Sequence, residues 1–195
     1  SKNGGSSTCD TADCVATGTP SGTVSTVNFQ TTASEIVVAV GQNDAKTIGT
    51  GTGDLSGNEY EYIYGNNNST ITFSDDHNNY VVDKLTLGYQ NTLHLQAGGT
   101  YWINQLTLNT DAKIIIQGTG TALIYVNQNL SFPYHGLINS PSIQEAGDAS
   151  KLVMYVLSDV TFNSESTYTG SLYAEGNLIL GFDSRVFGAI SASNI

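Results

Sequence analysis

The sequence predicts an all-β fold, a single-domain parallel β-helix (β-solenoid), and three observations carry that expectation. First, an eight-residue phrase recurs, opening at Tyr80, Tyr101, Tyr125, Tyr155 and Tyr173, with a truncated copy from Ile190. Its starts lie 21, 24, 30, 18 and 17 residues apart, the period range of a solenoid coil. Second, each phrase carries an aliphatic column (Leu85, Leu106, Leu130, Val160, Leu178, Ile195) and, two places on, Leu87, Leu108, Phe132, Phe162 and Leu180. Small polar residues such as Thr86, Thr107 and Ser131 lie between them, the alternation of a strand with one buried face. Third, eight residues past the first column comes another apolar file, Leu93, Ile114, Ile138, Tyr168 and Val186. A fixed offset places a second strand of each coil against the same core.

In chain order, residues 1–22 read as a flexible lead-in, rich in Ser, Gly and Thr. It contains Cys9 and Cys14 in Cys-Asp-Thr-Ala-Asp-Cys. Zinc wants two further Cys or His ligands nearby, and a redox motif of the thioredoxin kind has two intervening residues rather than four. A local disulfide is the reading that remains favoured, and it implies an oxidising compartment. Residues 23–79 read as a cap with degenerate first coils: Thr23 to Gln30 and Glu35 to Val40 look like strands, and Gly41 to Asn58 is a polar segment. Strands at Tyr60 to Tyr64 and Thr70 to Phe73 follow. Such a cap covers the unpaired edge a solenoid would otherwise expose. Residues 80–195 read as about six clean coils, expected to be right-handed. The 30-residue coil carries its excess in the segment Asn139 to Ser150, which must leave the stack as a loop. The pattern breaks off inside a coil, so further coils or domains are expected after Ile195.

Composition narrows the partners. The net charge is −11, from 17 acids against 6 Lys and Arg. Nucleic acid and anionic membrane surfaces both want clustered Lys and Arg, so neither is expected. No apolar run approaches 18 residues, so no membrane-inserted helix is expected.

The phrases Cys9-Asp-Thr-Ala-Asp-Cys14, Gly99-Thr-Tyr-Trp-Ile-Asn-Gln-Leu-Thr-Leu108 and Ala146-Gly-Asp-Ala-Ser-Lys-Leu-Val-Met-Tyr155 resemble the β-helical region of the MSHA pilus biogenesis protein MshQ family. The run from Gly176 to Ala192 is similar to that family's closing coils. The resemblance implies an extracellular, pilus-linked structural or adhesive part of a Gram-negative cell surface, partnered by pilus or cell-surface components. It supplies no catalytic residues.

Among candidate sites, the column Tyr80, Tyr101, Tyr125, Tyr155 and Tyr173 stands first. In the middle coils its flanks are apolar, and if the flanks face inward the tyrosines face outward. A ladder of rings could then bind a surface glycan, whose sugars repeat at a similar distance and offer apolar faces. Against this stand rings that merely stack on one another, or rings that lie inside. The column Lys84, Gln105, Asn129, Asp159, Asn177 and Asn194 reads as a structural corner ladder. No cofactor is expected. Calcium is a weak alternative, resting on Gly51-Thr52-Gly53-Asp54 and on Asp75, Asp76 and Asp83. A polysaccharide-active enzyme is the rival reading. It would need paired carboxylates, yet no repeated column holds two acids, and His77, His94 and His135 are far apart in sequence. The expectation is therefore a non-catalytic extracellular module with no metal site; a pure spacer in pilus assembly is the other alternative.

Overall fold

In a computed structural model that describes residues 45–74 and 77–195, the chain winds as a parallel β-solenoid of about seven turns. The strands in order are β1 (Ala45–Ile48), β2 (Gly51–Leu55), β3 (Glu59–Gly65), β4 (Ser69–Phe73), β5 (Asn79–Leu87), β6 (Thr92–Gln96), β7 (Thr100–Leu108) and β8 (Lys113–Gln117). They continue with β9 (Ala122–Val126), β10 (Leu130–Phe132), β11 (Leu137–Ile138), β12 (Leu152–Val156), β13 (Val160–Phe162), β14 (Thr167–Leu180) and β15 (Arg185–Asn194). One face stacks β1, β3, β5, β7, β9, β12 and β14; a second stacks β2, β4, β6, β8, β11 and β14; a third pairs β10, β13 and the end of β14. Because β14 runs through all three, it ties the faces into a continuous ladder. The proposed N-terminal strands and the Cys9–Cys14 pair lie outside the described residues.

The core forms because identical offsets put like side chains above one another. On the second face Ile71, Leu93, Ile114, Ile138, Tyr168 and Val186 stand in one file. On the third, Leu130, Val160 and Leu178 are in register, as are Phe132 and Phe162. Leu85 and Leu106 are in register on the long strands β5 and β7. These aliphatics, Val186 excepted, are almost wholly buried. No coil closes this core by itself; the coils above and below do it.

Two expectations about the early residues need correction. The polar segment 41–58 contains β1 and β2, which pair with β3 and β4. Their glycines and threonines hid the strand pattern, since the inward file position there is Gly53, level with Ile71. The regular winding therefore starts well before Tyr80.

Candidate functional site

The recurring tyrosines do not form one column. Tyr80 pairs with Tyr101, but Tyr101 pairs with Ile124 and Trp102 pairs with Tyr125. The phrase repeats after 24 residues there, whereas the strands register after 23; the extra residue is taken up at the Asn127–Asn129 corner. Since strand side chains alternate, a one-residue slip turns every side chain to the other face. Tyr80 and Tyr101 are accordingly fully buried, contrary to the outward expectation for them. Their rings stack at 5.0 Å and 6°, and Phe73 meets each edge-on. Tyr101 Oη accepts from Gln96 N at 2.7 Å, and Tyr80 Oη donates to Ser74 O. Burial pushes the Tyr101 phenol well above the ordinary range, and that of Tyr168 likewise.

Tyr125, Tyr155 and Tyr173 do face outward, joined by Trp102. Trp102–Tyr125 and Tyr125–Tyr155 are stacked at 4.1 and 5.0 Å with planes within 9° and 8°; Tyr155–Tyr173 is tilted, at 5.9 Å. Centroids this close in parallel rings require face-to-face contact, because rings lying flat side by side would collide. The ring planes therefore stand across the solenoid axis. Tyr125 has both faces covered by stacked neighbours, and Tyr155 has one face on Tyr125 with the tilted Tyr173 against its other side. Partial burial raises the Tyr155 phenol above its usual value, with Tyr125 adding to the effect. A glycan laid along this column would meet ring edges rather than the π faces that hold sugars.

At the corner column, side chains of successive coils are hydrogen-bonded into a ladder. Asp159 Oδ1 accepts from Asn177 N (2.7 Å) and Asn177 Nδ2 (3.1 Å), and Asn194 Nδ2 donates to Asn177 Oδ1 (2.9 Å). A parallel ladder runs Asp83–Asn104–Asn127, with links of 2.6 and 2.9 Å. Asp83 is thus engaged by an amide, Gly51–Leu55 is a strand, and Asp75 and Asp76 lie outside the described residues. Among the described residues no group of three or more His, Cys, Asp or Glu side chains is gathered as a metal site would require.

The loop in the 30-residue coil folds back on the stack. Asn139 Nδ2 donates to Asp148 O and Thr169 O, Gly147 N donates to Thr169 Oγ1, and Thr167 Oγ1 donates to Ile143 O at 2.9 Å. Arg185 Nη1 also reaches Ile143 O, at 3.3 Å. Ile143 is so held beside the second face.

A second set of aromatics escaped the sequence reading. At the corner between the third and second faces, six successive coils turn through a left-handed residue: Asn68, Gln90, Asp111, His135, Glu165 and Asp183, with φ between 53° and 59°. Such φ is uncommon outside Gly, with Asn, Asp and His the residue types that most often adopt it, so Gln90 and Glu165 are the less usual occupants. The N–H of each of the first five donates to the carbonyl of the residue just before the next, as Asn68 N to Tyr89 O and Asp111 N to Tyr134 O. The preceding positions form an outward row, Asn67, Tyr89, Thr110, Tyr134, Ser164 and Phe182. Its aromatics occupy alternate coils and are exposed, at 42% for Tyr89, 43% for Tyr134 and 81% for Phe182. Tyr134 rests one face on His135, at 3.7 Å between centroids. His135 in turn lies between Asp111 (Nδ1, 3.3 Å) and Glu165 (Nε2, 2.8 Å) of the neighbouring coils. Beside this row is a concavity of about 340 Å³ lined by Gln90, Thr92, Asp111, Lys113, His135, Leu137 and Ile143. The signal that could have found it is an aromatic just ahead of the turn residue, in Tyr89-Gln90, Tyr134-His135 and Phe182-Asp183.

Comparison with known proteins yields one match. No curated protein and no solved structure matches the chain. Residues 46–195 match the profile of a family described as a domain of unknown function, DUF7305. These are the residues that form the solenoid, from the first strand of the described stack to its last, and on that match the chain belongs to the DUF7305 family.

Proposed function

We propose that this chain is a non-catalytic structural and adhesive module of an extracellular, surface-exposed protein: a stiff solenoid that spaces and presents rather than turns over a substrate. The observation that supports this is what the repeated side chains are used for. The outward rings Trp102, Tyr125 and Tyr155 spend their faces on one another, and the Asn and Asp corners spend their amides on the next coil. A repeat of this kind holds coil to coil; it does not gather an acid and a base around a scissile bond.

Placement in a pilus-linked protein of a Gram-negative surface is carried by the resemblance of the cysteine phrase and the coil phrases described above. The Cys9–Cys14 disulfide belongs to the same proposal, and mass spectrometry of the alkylated, unreduced protein would detect it as two unlabelled cysteines. The test of the main reading is Tyr125→Ala combined with Tyr155→Ala. Lower stability with unchanged ligand capture, and no products from a polysaccharide panel, is the expected outcome. Release of reducing ends or unsaturated sugars by the wild-type chain would overturn it.

A further inference from the structure

We infer that the adhesive surface of this module is the left-handed corner, where Tyr89 and Tyr134 form platforms for a neutral linear glycan lying along the solenoid axis. The inference rests on the non-catalytic reading above and names its site and ligand class. It starts from the contrast between two aromatic rows. In the outward column of the first face, rings at every coil cover one another. At the corner the rings occur at every second coil, with Thr110 between Tyr89 and Tyr134, so they stand about 10 Å apart along the axis. That is too far for mutual stacking, and no ring contact covers Tyr89 among the described residues. Such a spacing suits the disaccharide period of an extended glycan, with one sugar of each pair resting on a ring.

The surroundings supply what else sugar binding needs. The 340 Å³ concavity next to the rings offers the Thr92 hydroxyl and the Lys113 ammonium as partners for hydroxyl groups, with the Gln90 amide, which also donates to Tyr89 Oη, and the Asp111 carboxylate, which also contacts His135, beside them. Leu137 and Ile143 add an apolar wall, Ile143 being fixed there by Thr167 and Arg185. A small number of placed polar groups over an apolar wall is the usual make-up of a ligand site. Among the turn residues here, Gln90 holds a left-handed conformation that is uncommon for its side chain, and such strain tends to persist where a side chain must be aimed. Charge selects the class of glycan. Lys113 and the Arg185 that pairs with Asp183 stand beside this corner, but the chain's net charge of −11 disfavours a polyanionic ligand and leaves a neutral one unaffected.

The experiment is calorimetric titration of the wild-type chain with hexamers of neutral gluco-, manno-, xylo- and N-acetylglucosamine oligosaccharides and with a polygalacturonate hexamer. Product chromatography is run on the same mixtures. The expected result is binding of at least one neutral hexamer, weaker binding of polygalacturonate, and no chain shortening. Tyr89→Ala and Tyr134→Ala should each weaken that binding roughly tenfold. Tyr125→Ala should leave it unchanged, all three variants melting as folded proteins. Absence of binding to every neutral hexamer, or loss confined to Tyr125→Ala, would overturn the corner site while leaving the solenoid scaffold reading intact. Shortened oligosaccharides would instead overturn the non-catalytic reading.

Discussion

Truncating Tyr101 and Tyr125 separately is the sharpest use of the split aromatic column. The two residues occupy the same place in the repeated phrase, yet one is wholly buried and the other stands outside the sheet. Tyr101→Ala removes a ring stacked on Tyr80, an edge contact with Phe73, and the hydroxyl that receives Gln96 N. A large aromatic deleted from a close-packed core costs about 3–5 kcal/mol. Tyr125→Ala loses two stacked contacts, to Trp102 and Tyr155. At about 0.5–1.5 kcal/mol for each aromatic pair, that is roughly 1–3 kcal/mol, and water can fill the space. The inner substitution should therefore cost on the order of 2 kcal/mol more than the outer one. Urea unfolding followed by circular dichroism, with midpoint and slope fitted together, gives both numbers. Tyr101→Phe separates the hydroxyl from the ring and should cost about 1 kcal/mol, since Gln96 N loses its acceptor. Equal costs for Tyr101→Ala and Tyr125→Ala would refute the inside–outside division and the register slip that explains it.

Further consequences are open to measurement. The phenols of Tyr101 and Tyr168 titrate above the ordinary value because they are buried neutral. Their contribution to stability is complete below the unfolded tyrosine pKa of about 10 and is lost as pH rises beyond it toward the folded values. Urea midpoints should thus be insensitive to these groups at neutral pH and should fall at strongly alkaline pH, with phenolate absorbance rising as the chain unfolds. Asp159→Ala removes the oxygen that accepts two bonds from Asn177 and should cost about 1 kcal/mol in the same assay; Asp159→Asn keeps an acceptor and should cost less. Gly147→Ala would place a Cβ 1.9 Å from Asn139 O. It should loosen the loop, seen as faster hydrogen exchange at residues 139–150, at roughly 1–3 kcal/mol.

The file Leu93, Ile114, Ile138, Tyr168 and Val186 was legible residue by residue, because an aliphatic position repeated at a constant offset has one physical use in a solenoid. The corner ladder of Asn129, Asp159, Asn177 and Asn194 was legible for the same reason: amides at a bend bond to the bend above. The tyrosines misled because the strand period is two. An alignment matching Tyr101 with Tyr125 is only one residue from the true register, yet that residue decides which side of the sheet a ring occupies. The flanks were a sound guide only in the later coils, where Ile124, Met154 and Leu172 point inward and send Tyr125, Tyr155 and Tyr173 outward; at Tyr80 and Tyr101 the flanking Val81 and Trp102 face outward instead. Strands β1 and β2 were missed because Gly53 holds a core position with no side chain to mark it. The corner aromatics were missed because Thr110 and Ser164 break the column, and left-handed turns at Gln90 and Glu165 are not what those residue types suggest.

Register between β7 and β9 can be read directly by cross-linking, in a background carrying Cys9→Ser and Cys14→Ser. Cysteines at positions directly paired in neighbouring coils lie close enough to form a disulfide under mild oxidation. The pair Trp102→Cys with Tyr125→Cys should close nearly completely in the folded protein, while Tyr101→Cys with Tyr125→Cys, on opposite faces of the sheet, should stay reduced. Efficient closure of the second pair, with the first left open, would contradict the register on which the placement of every aromatic in this solenoid depends.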